Sequence, residues 1–383
     1  MNNTIGIYIH LPYCPTKCGY CDFNAYLAPG GDAFARYTSA VLAEMRLAES
    51  LEGRQRVGSI YFGGGTPSLF PAGDVGRMLD LLRDLHEIAE DAEVSLEANP
   101  SALTSDQLRQ FVGAGVNRLS IGAQTFSAPL LAAIGRDHGP DDIVRAVGMA
   151  REAGLVRVSL DLMYGLPDET DADVEKSVMR AIGLGVGHIS AYALELEPRT
   201  VFGHRHRRGD LALPGEDDVV RRGDMIGGCL AHAGFTRYEV SNHARPGERC
   251  RHNERTWQRG RYRGFGAGAH SFLGERRFWN VAHPARYASD VEGGVLPVAG
   301  QEDVSKIARG EWAYLALRTF HLDRQAFEDA FGLPIEAAFP KTFRHALEDG
   351  WLRRTGPAWV VAEERRWLLG QLAARFLDEG RTP

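Results

Sequence analysis

The stretch Ile5-Gly-Ile-Tyr-Ile-His-Leu-Pro-Tyr-Cys14-Pro-Thr-Lys-Cys18-Gly-Tyr-Cys21-Asp-Phe23 joins an apolar strand pattern directly to a loop that holds three cysteines. C-x3-C-x2-C is the spacing of a loop whose thiolates hold an iron–sulfur cluster and leave one iron without a protein ligand. A small molecule can chelate that open iron and be reduced there. The segment therefore predicts a [4Fe-4S] cluster bound by Cys14, Cys18 and Cys21, at the end of the first strand.

Zinc and disulfide interpretations of the same loop are weaker. Structural zinc takes four nitrogen or sulfur ligands in paired spacings, and no second such pair follows, although His10 could supply a fourth ligand. Disulfides need an oxidising compartment, and a chain of 383 residues is large enough to fold without them. Cys229 and Cys250 are expected to be inert thiols.

Composition and charge narrow the classes of function. The net charge of −6 gives no overall basic field for nucleic acid. The local Arg/His-rich stretch Arg199–Arg208 is expected to be a solvated loop. Alternatively, it would form an electropositive rim that binds a ligand carrying propionate groups. Nothing at the start resembles a signal peptide, and no apolar run reaches the 18 or so residues of a membrane span. A reducing, cytoplasmic location is therefore expected.

The periodicity predicts an α/β fold that covers the first half of the chain. Strand patterns recur at Ile5–Leu11, Ser59–Phe62, Glu93–Ala98, Arg118–Gln124, Val156–Tyr164 and His188–Leu194. Helical patterns lie between them at Asp32–Leu51, Gly73–His86, Ser105–Val112, Pro140–Ala153 and Asp171–Ile182. Such alternation favours parallel strands with right-handed crossovers. With six units instead of eight, an open partial barrel is expected.

The chemically informative residues follow the ends of these strands. The cysteine loop follows the first strand, and Gly63-Gly-Gly-Thr-Pro67 follows the second. Glu97, Gln124 and Asp161 end or lie within the third, fourth and fifth strands. Because the C-terminal strand ends carry the active site in barrels of this kind, these residues are expected to converge on one site.

The rest of the chain divides into two further regions. The alternation fades over residues 201–300, which are expected to form an accessory region after the barrel of residues 1–200. Residues 301–383 return to helical patterns, followed by a hairpin signal with Gly356-Pro357 at its turn and a last helix. This order predicts a smaller, winged-helix-like C-terminal domain. DNA binding is not expected, because its last helical stretches mix Glu, Asp and Arg.

Taken together, these motifs resemble those of the radical SAM proteins, in the coproporphyrinogen III oxidase-like group and within it the HemW-type heme chaperones. The resemblance also covers Ser120-Ile-Gly-Ala-Gln124, Asp161-Leu-Met-Tyr-Gly-Leu-Pro167, His252-Asn253 and Gly264-Phe-Gly-Ala-Gly-Ala-His270. It implies S-adenosylmethionine at the open iron, and an open (β/α)6 barrel of radical SAM type.

The resemblance also assigns residues to the S-adenosylmethionine site. Gly64 and Gly65 would let backbone approach the methionyl amino group, and Thr66 would add a hydroxyl beside them. Arg136 would clamp the methionyl carboxylate, and Asp161 would bind the ribose hydroxyls. Three further residues complete the set: Glu97 would offer a carboxylate, Gln124 an amide and Tyr8 a phenol.

Two departures bear on function. In the oxidases the loop continues to a fourth cysteine, whereas here that position is Phe23, as in the HemW-type proteins. The chain is also expected to lack the N-terminal extension of the oxidases. His252, in His252-Asn-Glu-Arg-Thr-Trp257, resembles the family's H-N-x-x-Y-W element and is the candidate axial ligand of heme iron, although Thr256 replaces the usual tyrosine. A plain hydrogen-bonding role for His252 is the alternative, and His270 and His243 are weaker candidates.

The favoured function is therefore a heme chaperone that binds heme, passes it to acceptor proteins, and carries a [4Fe-4S] cluster and S-adenosylmethionine. The alternative is a radical SAM oxidoreductase of the oxygen-independent coproporphyrinogen III oxidase type. Whether S-adenosylmethionine is cleaved productively stays open at this point. The expected partners are heme, heme-accepting proteins and an electron donor for the cluster, with transient membrane association through the acceptors and no nucleic acid.

Overall fold

The computed structural model describes residues 4–380, and its main feature is a sheet of twelve strands. The six predicted strands lie side by side in the middle of this sheet, in sequence order and parallel to one another. Helices connect them on the outer face. The predicted open partial barrel is confirmed.

The strands range from long barrel strands to two-residue pairs at the edges. They are β1 Ile5–Leu11, β2 Tyr13–Cys14, β3 Tyr26–Leu27, β4 Arg56–Gly64, β5 Glu87–Ala98, β6 Arg118–Gln124, β7 Arg157–Tyr164, β8 His188–Ala193, β9 Thr236–Arg237, β10 Asn242–Ala244, β11 Tyr262–Phe265, β12 His270–Phe272, β13 Arg276–Asn280, β14 Val298–Asp303, β15 His321–Asp323, β16 Leu352–Thr355 and β17 Ala358–Val361.

The α-helices follow the strands as crossovers in the first half and form most of the C-terminal region. They are α1 Ala33–Glu52, α2 Ala72–Leu85, α3 Ser105–Ala114, α4 Ala128–Ala133, α5 Pro140–Glu152, α6 Asp171–Gly183, α7 Val201–Arg207, α8 Glu216–His232, α9 Arg251–Trp257, α10 Pro284–Glu292, α11 Ala308–Leu317, α12 Arg324–Phe331, α13 Ile335–Ala338, α14 Pro340–Glu348 and α15 Leu369–Gly380.

Alternation along the parallel strands separates an apolar outer face from a polar inner face. On β1, Ile7 and Ile9 are fully buried and belong to the main apolar core that the crossover helices cover. Tyr8, between them, lies beside Tyr61 of β4 inside the barrel. Because successive side chains of a strand point to opposite faces, each strand supplies both core and site residues.

The accessory region 201–300 adds strands to both edges of the barrel sheet. β11 pairs in parallel with β1, and β12, β13 and β14 extend that edge as antiparallel strands. At the other edge β10 pairs antiparallel with β8, and β9 with β10. The sequence shows little periodicity here because these strands are only two to six residues long.

The stretch Arg199–Arg208 is not the expected loop. Residues Val201–Arg207 form α7, whose N-terminus is capped by the Thr200 hydroxyl, which accepts from the Gly203 amide at 3.0 Å. Phe202 is buried on its inner face, and the histidines and arginines follow on the other positions. The many basic residues of this stretch made it look fully solvated, although the buried side chain of Phe202 anchors it as a helix.

Residues 308–376 contain a second apolar core, which does not merge with that of the barrel. β15, β17 and β16 form a three-stranded sheet beside the helices of this region. The helical pattern of Ile335–Asp349 predicts one helix, which is wrong, because Phe339 adopts φ −134° and separates α13 from α14. Pro340 causes this break, since a residue before proline is pushed out of the helical region. We propose that residues 301–383 form a domain of their own.

Within residues 4–380, no helix is both long enough and apolar enough to span a bilayer.

Candidate functional site

A cavity of about 820 Å³ lies at the C-terminal ends of the parallel strands. The barrel forms one wall, and residues of α11, α15 and the segment 237–242 form the opposite wall. Its volume is near the upper end of the range for small-molecule sites, about 300–1,000 Å³. The cavity therefore has room for more than one small ligand.

The three cysteines of the loop after β1 all border this cavity. The Thr66 hydroxyl donates to Cys14 Sγ at 3.4 Å, and Arg136 Nη1 donates to Cys18 Sγ at 3.8 Å. Burial raises the pKa of the Cys21 thiol to about 11 and also raises that of Cys14. Donors aimed at sulfur suit thiolates, so these contacts fit a loop whose cysteines are metal-bound.

No group of three His, Cys, Asp or Glu side chains in residues 4–380 is gathered closely enough to hold a single metal ion. A [4Fe-4S] cluster instead takes one thiolate on each of three different irons, so its ligands surround a larger body. The absence of a mononuclear group in this part of the chain therefore does not bear on a cluster held by Cys14, Cys18 and Cys21.

The glycines at the C-terminal end of β4 are needed for chain packing. Gly64 has φ +117°, and a Cβ there would stand 2.5 Å from the His10 ring. At Gly65 a Cβ would stand 2.8 Å from the Pro12 carbonyl carbon and the Tyr13 oxygen. The C-terminal end of β4 thus packs directly against residues 10–13, which lead into the cysteine loop. This explanation differs from the expected one, in which the missing Cβ atoms make room for the ligand.

Glu97 is the penultimate residue of β5 and borders the cavity. Tyr61 donates its hydroxyl to Oε1 at 2.8 Å, and the Gly64 amide donates to Oε2 at 3.2 Å. Removal from bulk water raises the pKa of Glu97 to about 7, and nearby Asp161 acts in the same direction. A cationic ligand group would relieve both effects.

Gln124 reaches the cavity because the backbone at the end of β6 is irregular. Its φ is +63°, and the register with β7 shifts between Gly122 and Gln124. A positive φ in a non-glycine residue costs about 1–3 kcal/mol, and such strain clusters at functional sites. Tyr192 of β8 donates its hydroxyl to Gln124 Oε1 at 3.2 Å and fixes the amide.

Arg136 lies between the cysteine loop and β6. Its Nη2 donates to the Gly122 carbonyl at 2.8 Å, while Nε is buried and has no hydrogen-bond partner in the described part of the chain. An unpaired buried donor of a cation is costly unless a ligand satisfies it. Arg136 therefore fits an anionic ligand group beside Cys18.

Asp161 of β7 accepts from two serines on the neighbouring strands. Ser190 Oγ donates to Oδ1 at 2.7 Å, and Ser120 Oγ lies 3.1 Å from both carboxylate oxygens. Removal from bulk water raises the pKa of this carboxyl group. Carboxylate oxygens held in this way can accept hydrogen bonds from the paired hydroxyls of a sugar.

Most of the predicted residues thus border one cavity, but Tyr8 and His252 do not. The Tyr8 hydroxyl lies 3.0 Å from His10 Nδ1, and its ring stacks near Tyr61. His252, on α9, is buried beneath this layer, with its ring 5.2 Å from that of Tyr61 and Nδ1 3.2 Å from Ser59 Oγ. Burial lowers the pKa of His252 to about 4, so the ring is neutral.

Sequence reasoning missed several residues that border the cavity. Ser190 and Tyr192 are two positions apart on β8, so their side chains lie on the same face of the sheet and both border the cavity. This spacing in the sequence could have identified them. The opposite wall includes Arg237, Arg318 and Trp367, which lie far apart in the chain. No sequence pattern links those residues, so only the folded structure identifies them.

Known proteins resemble this chain in sequence and in fold. The family model described as the radical SAM superfamily matches residues 8–181. The heme chaperone HemW of Mycobacterium tuberculosis is 43% identical over 301 residues, which cover 78% of this chain and 77% of the relative. HemW of Escherichia coli is 34% identical over 387 residues and 98% of each chain. HemW of Bacillus subtilis is 32% identical over 375 residues, 97% of this chain and 99% of the relative.

Among solved structures, coproporphyrinogen III oxidase (HemN) from Escherichia coli, a radical SAM enzyme, superposes with a TM-score of 0.86. The match covers 98% of this chain and 90% of that one, at 21% sequence identity. At that identity the likeness establishes the shared fold alone.

Proposed function

Because this chain belongs to the HemW family of the radical SAM superfamily, we propose that it is a heme chaperone, which binds heme and passes it to acceptor proteins. The similarity over nearly the full length of the HemW relatives carries this proposal. The cavity supports it by providing a place for the cofactors of the superfamily.

The cofactors are a [4Fe-4S] cluster and S-adenosylmethionine. When bound, a cluster with an open iron supplies electrons to the ligand chelated there. We propose that Cys14, Cys18 and Cys21 bind three irons, because their thiols border the cavity and receive hydrogen bonds from Thr66 and Arg136.

We further propose that charged groups orient S-adenosylmethionine. Glu97 would accept from its ammonium group, and the unpaired Nε of Arg136 would donate to its carboxylate. Asp161 would accept from the ribose hydroxyls, and Gln124 would hydrogen-bond beside them. Gly64, Gly65 and Thr66 would shape the wall that joins these groups to the cysteine loop. Tyr8 would act from the layer below, through Tyr61.

Heme ligation by His252 is part of the proposal. The ring is neutral, which is the form that binds iron, but it lies beneath Tyr61 and outside the cavity wall. Ligation would therefore require the layer of Tyr8 and Tyr61 to move aside.

The alternative, a coproporphyrinogen III oxidase, has the shared fold in its favour. Phe23 stands where the oxidases are expected to carry a fourth cysteine, and its side chain is 62% exposed near the cysteine loop. A residue that places an apolar ring in solvent supplies no further metal ligand. The family membership at 32–43% identity favours the chaperone.

The partners of a heme chaperone are heme, heme-accepting proteins and an electron donor for the cluster. We propose a cytoplasmic location, because the free cysteines suit a reducing compartment. Membrane association would then be transient and would occur through the acceptors.

Anaerobic reconstitution followed by two parallel assays tests the proposed function. The reconstituted protein is titrated with heme, and separately it is reduced and incubated with coproporphyrinogen III and S-adenosylmethionine. We expect saturable heme binding with a Soret band, and no protoporphyrinogen. Sustained protoporphyrinogen formation, or the absence of saturable heme binding, would overturn the proposal.

A further inference from the structure

Three arginines come together on the wall of the cavity opposite the barrel. Arg237 and Arg366 both lie over the ring of Phe320, with guanidinium carbons 5.2 and 4.7 Å from its centroid. The carbonyl of Arg318 accepts from the Val240 amide at 3.0 Å, and Arg237 Nε donates to the Val240 carbonyl at 3.1 Å. All three arginines border the cavity.

The positive charge of this group is only partly balanced by the protein, because Glu239 and Asp224 lie near enough to act on it without forming salt bridges. Within the described part of the chain, neither Arg237 nor Arg318 has a carboxylate at salt-bridge distance. Arg366 has one, Glu363, at 3.6 Å, and the side chain of Glu363 is 87% exposed. The Nε atoms of Arg318 and Arg366 are buried and have no hydrogen-bond partner among residues 4–380. Buried cationic donors without acceptors are costly unless a ligand satisfies them.

The nearby carboxylates accept hydrogen bonds from other groups. Burial raises the pKa of Glu239, and the charges of Arg318 and Arg237 act against that rise. Glu239 is buried and accepts from the Ser241 amide at 3.1 Å, and Asp224 accepts from Trp367 Nε1 at 2.8 Å. Burial lowers the pKa of Arg237, and the charge of Arg366 acts in the same direction, as expected for like charges held together. Glu195 and Glu197 also border the cavity, but neither pairs with these arginines.

Apolar surface surrounds the arginines. Trp367, Leu369, Ala373 and Tyr314 continue the same wall, and Met163 lies on the barrel side. The wall is therefore suited to a ligand with a broad apolar body and more than one anionic group. The cofactor side already offers Arg136 for the carboxylate of S-adenosylmethionine, so this second group of cations is left for another ligand.

We propose that Arg237, Arg318 and Arg366 form a subsite for the propionate groups of the heme cargo, with the porphyrin against the wall of the C-terminal domain. This inference rests on the proposed heme-chaperone function and adds the residues that would recognise the cargo. Guanidinium groups suit the task because they form paired, charge-assisted hydrogen bonds with carboxylates.

The test compares heme with its dimethyl ester, in which both propionates are uncharged, on the anaerobically reconstituted full chain. A lost hydrogen bond to a charged group costs about 1.5–3 kcal/mol, which corresponds to about tenfold or more in affinity. We expect the wild-type protein to bind the ester at least about tenfold more weakly than heme.

Substitutions then locate the recognition. In the Arg318→Gln/Arg366→Gln variant, heme binding is expected to fall by a similar factor, while ester binding stays as in the wild type. Arg309→Gln, on an exposed position of α11, is the matched control and is expected to keep the wild-type preference. Iron content and S-adenosylmethionine binding report whether each variant is folded, and a single Arg237→Gln variant replaces the double variant if it is not.

The outcomes separate the two proposals. If the wild type binds neither compound, the proposed heme function fails. If it binds both equally, or if a folded arginine variant keeps the full preference for heme, the chaperone function stands and the propionate subsite is overturned. The ester comparison on the wild type needs no substitution, so equal affinity for both compounds overturns the subsite even where variants are unstable.

Discussion

Glu97 illustrates how single residues of the site are tuned by their surroundings. Its carboxyl group receives hydrogen bonds from Tyr61 and the Gly64 amide, which favour the ionised form. Removal from water outweighs them and raises the pKa to about 7, from an ordinary value of 4.5. The group therefore changes charge near neutral pH in the ligand-free protein.

This shift predicts that S-adenosylmethionine affinity depends on pH. Below pH 7 Glu97 is largely protonated and lacks the charge that attracts an ammonium group, so affinity should rise as pH increases through 7. The pH range of the titration must end below about 7.7–8.0, the ordinary pKa of an α-amino group, because S-adenosylmethionine loses its own ammonium charge there. Calorimetric titrations between about pH 5.5 and 7.5 measure the slope.

Glu97→Gln is the matched variant, because it keeps the shape and removes the titration. Its affinity should be nearly independent of pH over the same range, and lower than that of the wild type at pH 7.5. An unchanged slope in Glu97→Gln would show that another group is responsible.

His252 raises a separate question at this scale, because it is buried against Tyr61 and hydrogen-bonded to Ser59. If it ligates heme iron, His252→Ala should shift the Soret band and lower heme retention, while iron content and S-adenosylmethionine binding stay intact. His345→Ala, at an exposed position of α14, is the control, and His243→Ala tests a weaker candidate for the same ligand. Identical heme spectra in wild type and His252→Ala would assign the ligand elsewhere.

Among the elements, α7 has an unexpected relation to the cysteine loop. The Phe202 amide donates to the Gly19 carbonyl at 2.9 Å, and its buried ring packs near Tyr20. A Cβ at Gly19 would stand 2.8 Å from the Phe202 ring, so the loop and helix are in close contact. The helix therefore supports the segment between Cys18 and Cys21.

We expect Phe202→Ala to loosen this support. Truncation of a buried phenylalanine costs about 3–5 kcal/mol, and here the loss falls beside two cluster ligands. Iron should therefore be released to a chelator faster, at an anaerobic rate measured by absorbance. Val201→Ala, at a neighbouring position that is 61% exposed, should release iron at the wild-type rate. Equal rates in both variants would contradict a supporting role for α7.

The elements also show what the sequence can predict. The central strands and crossover helices were predicted because they are long and carry a clear apolar periodicity, as in Arg118–Gln124. The edge strands β9 to β14 were not, because each is too short for alternation to be recognised. The strand-end rule predicted the convergence of the Cys14 loop, Glu97 and Asp161, whereas the strained backbone that presents Gln124 depends on tertiary contacts.

At the scale of the whole molecule, the cavity lies between the barrel and the C-terminal region, whose walls carry different kinds of side chains. The barrel wall collects the groups proposed for the cluster and S-adenosylmethionine, and the opposite wall collects cations and apolar surface. The second wall was not predictable, because it forms only when the segment 237–242 meets α11 and α15. A protein with both walls can hold cofactor and cargo in one enclosure.

Transfer of heme to an acceptor tests the central claim most directly. The reconstituted protein is loaded with heme, freed of excess, and mixed with an apo heme protein, and the spectrum of the acceptor is followed after separation. We predict that heme moves to the acceptor in amounts that match its loss from the chaperone, without protoporphyrinogen formation in the parallel assay. Heme that stays bound at all acceptor concentrations, or that moves no faster than free heme in buffer, would contradict the account.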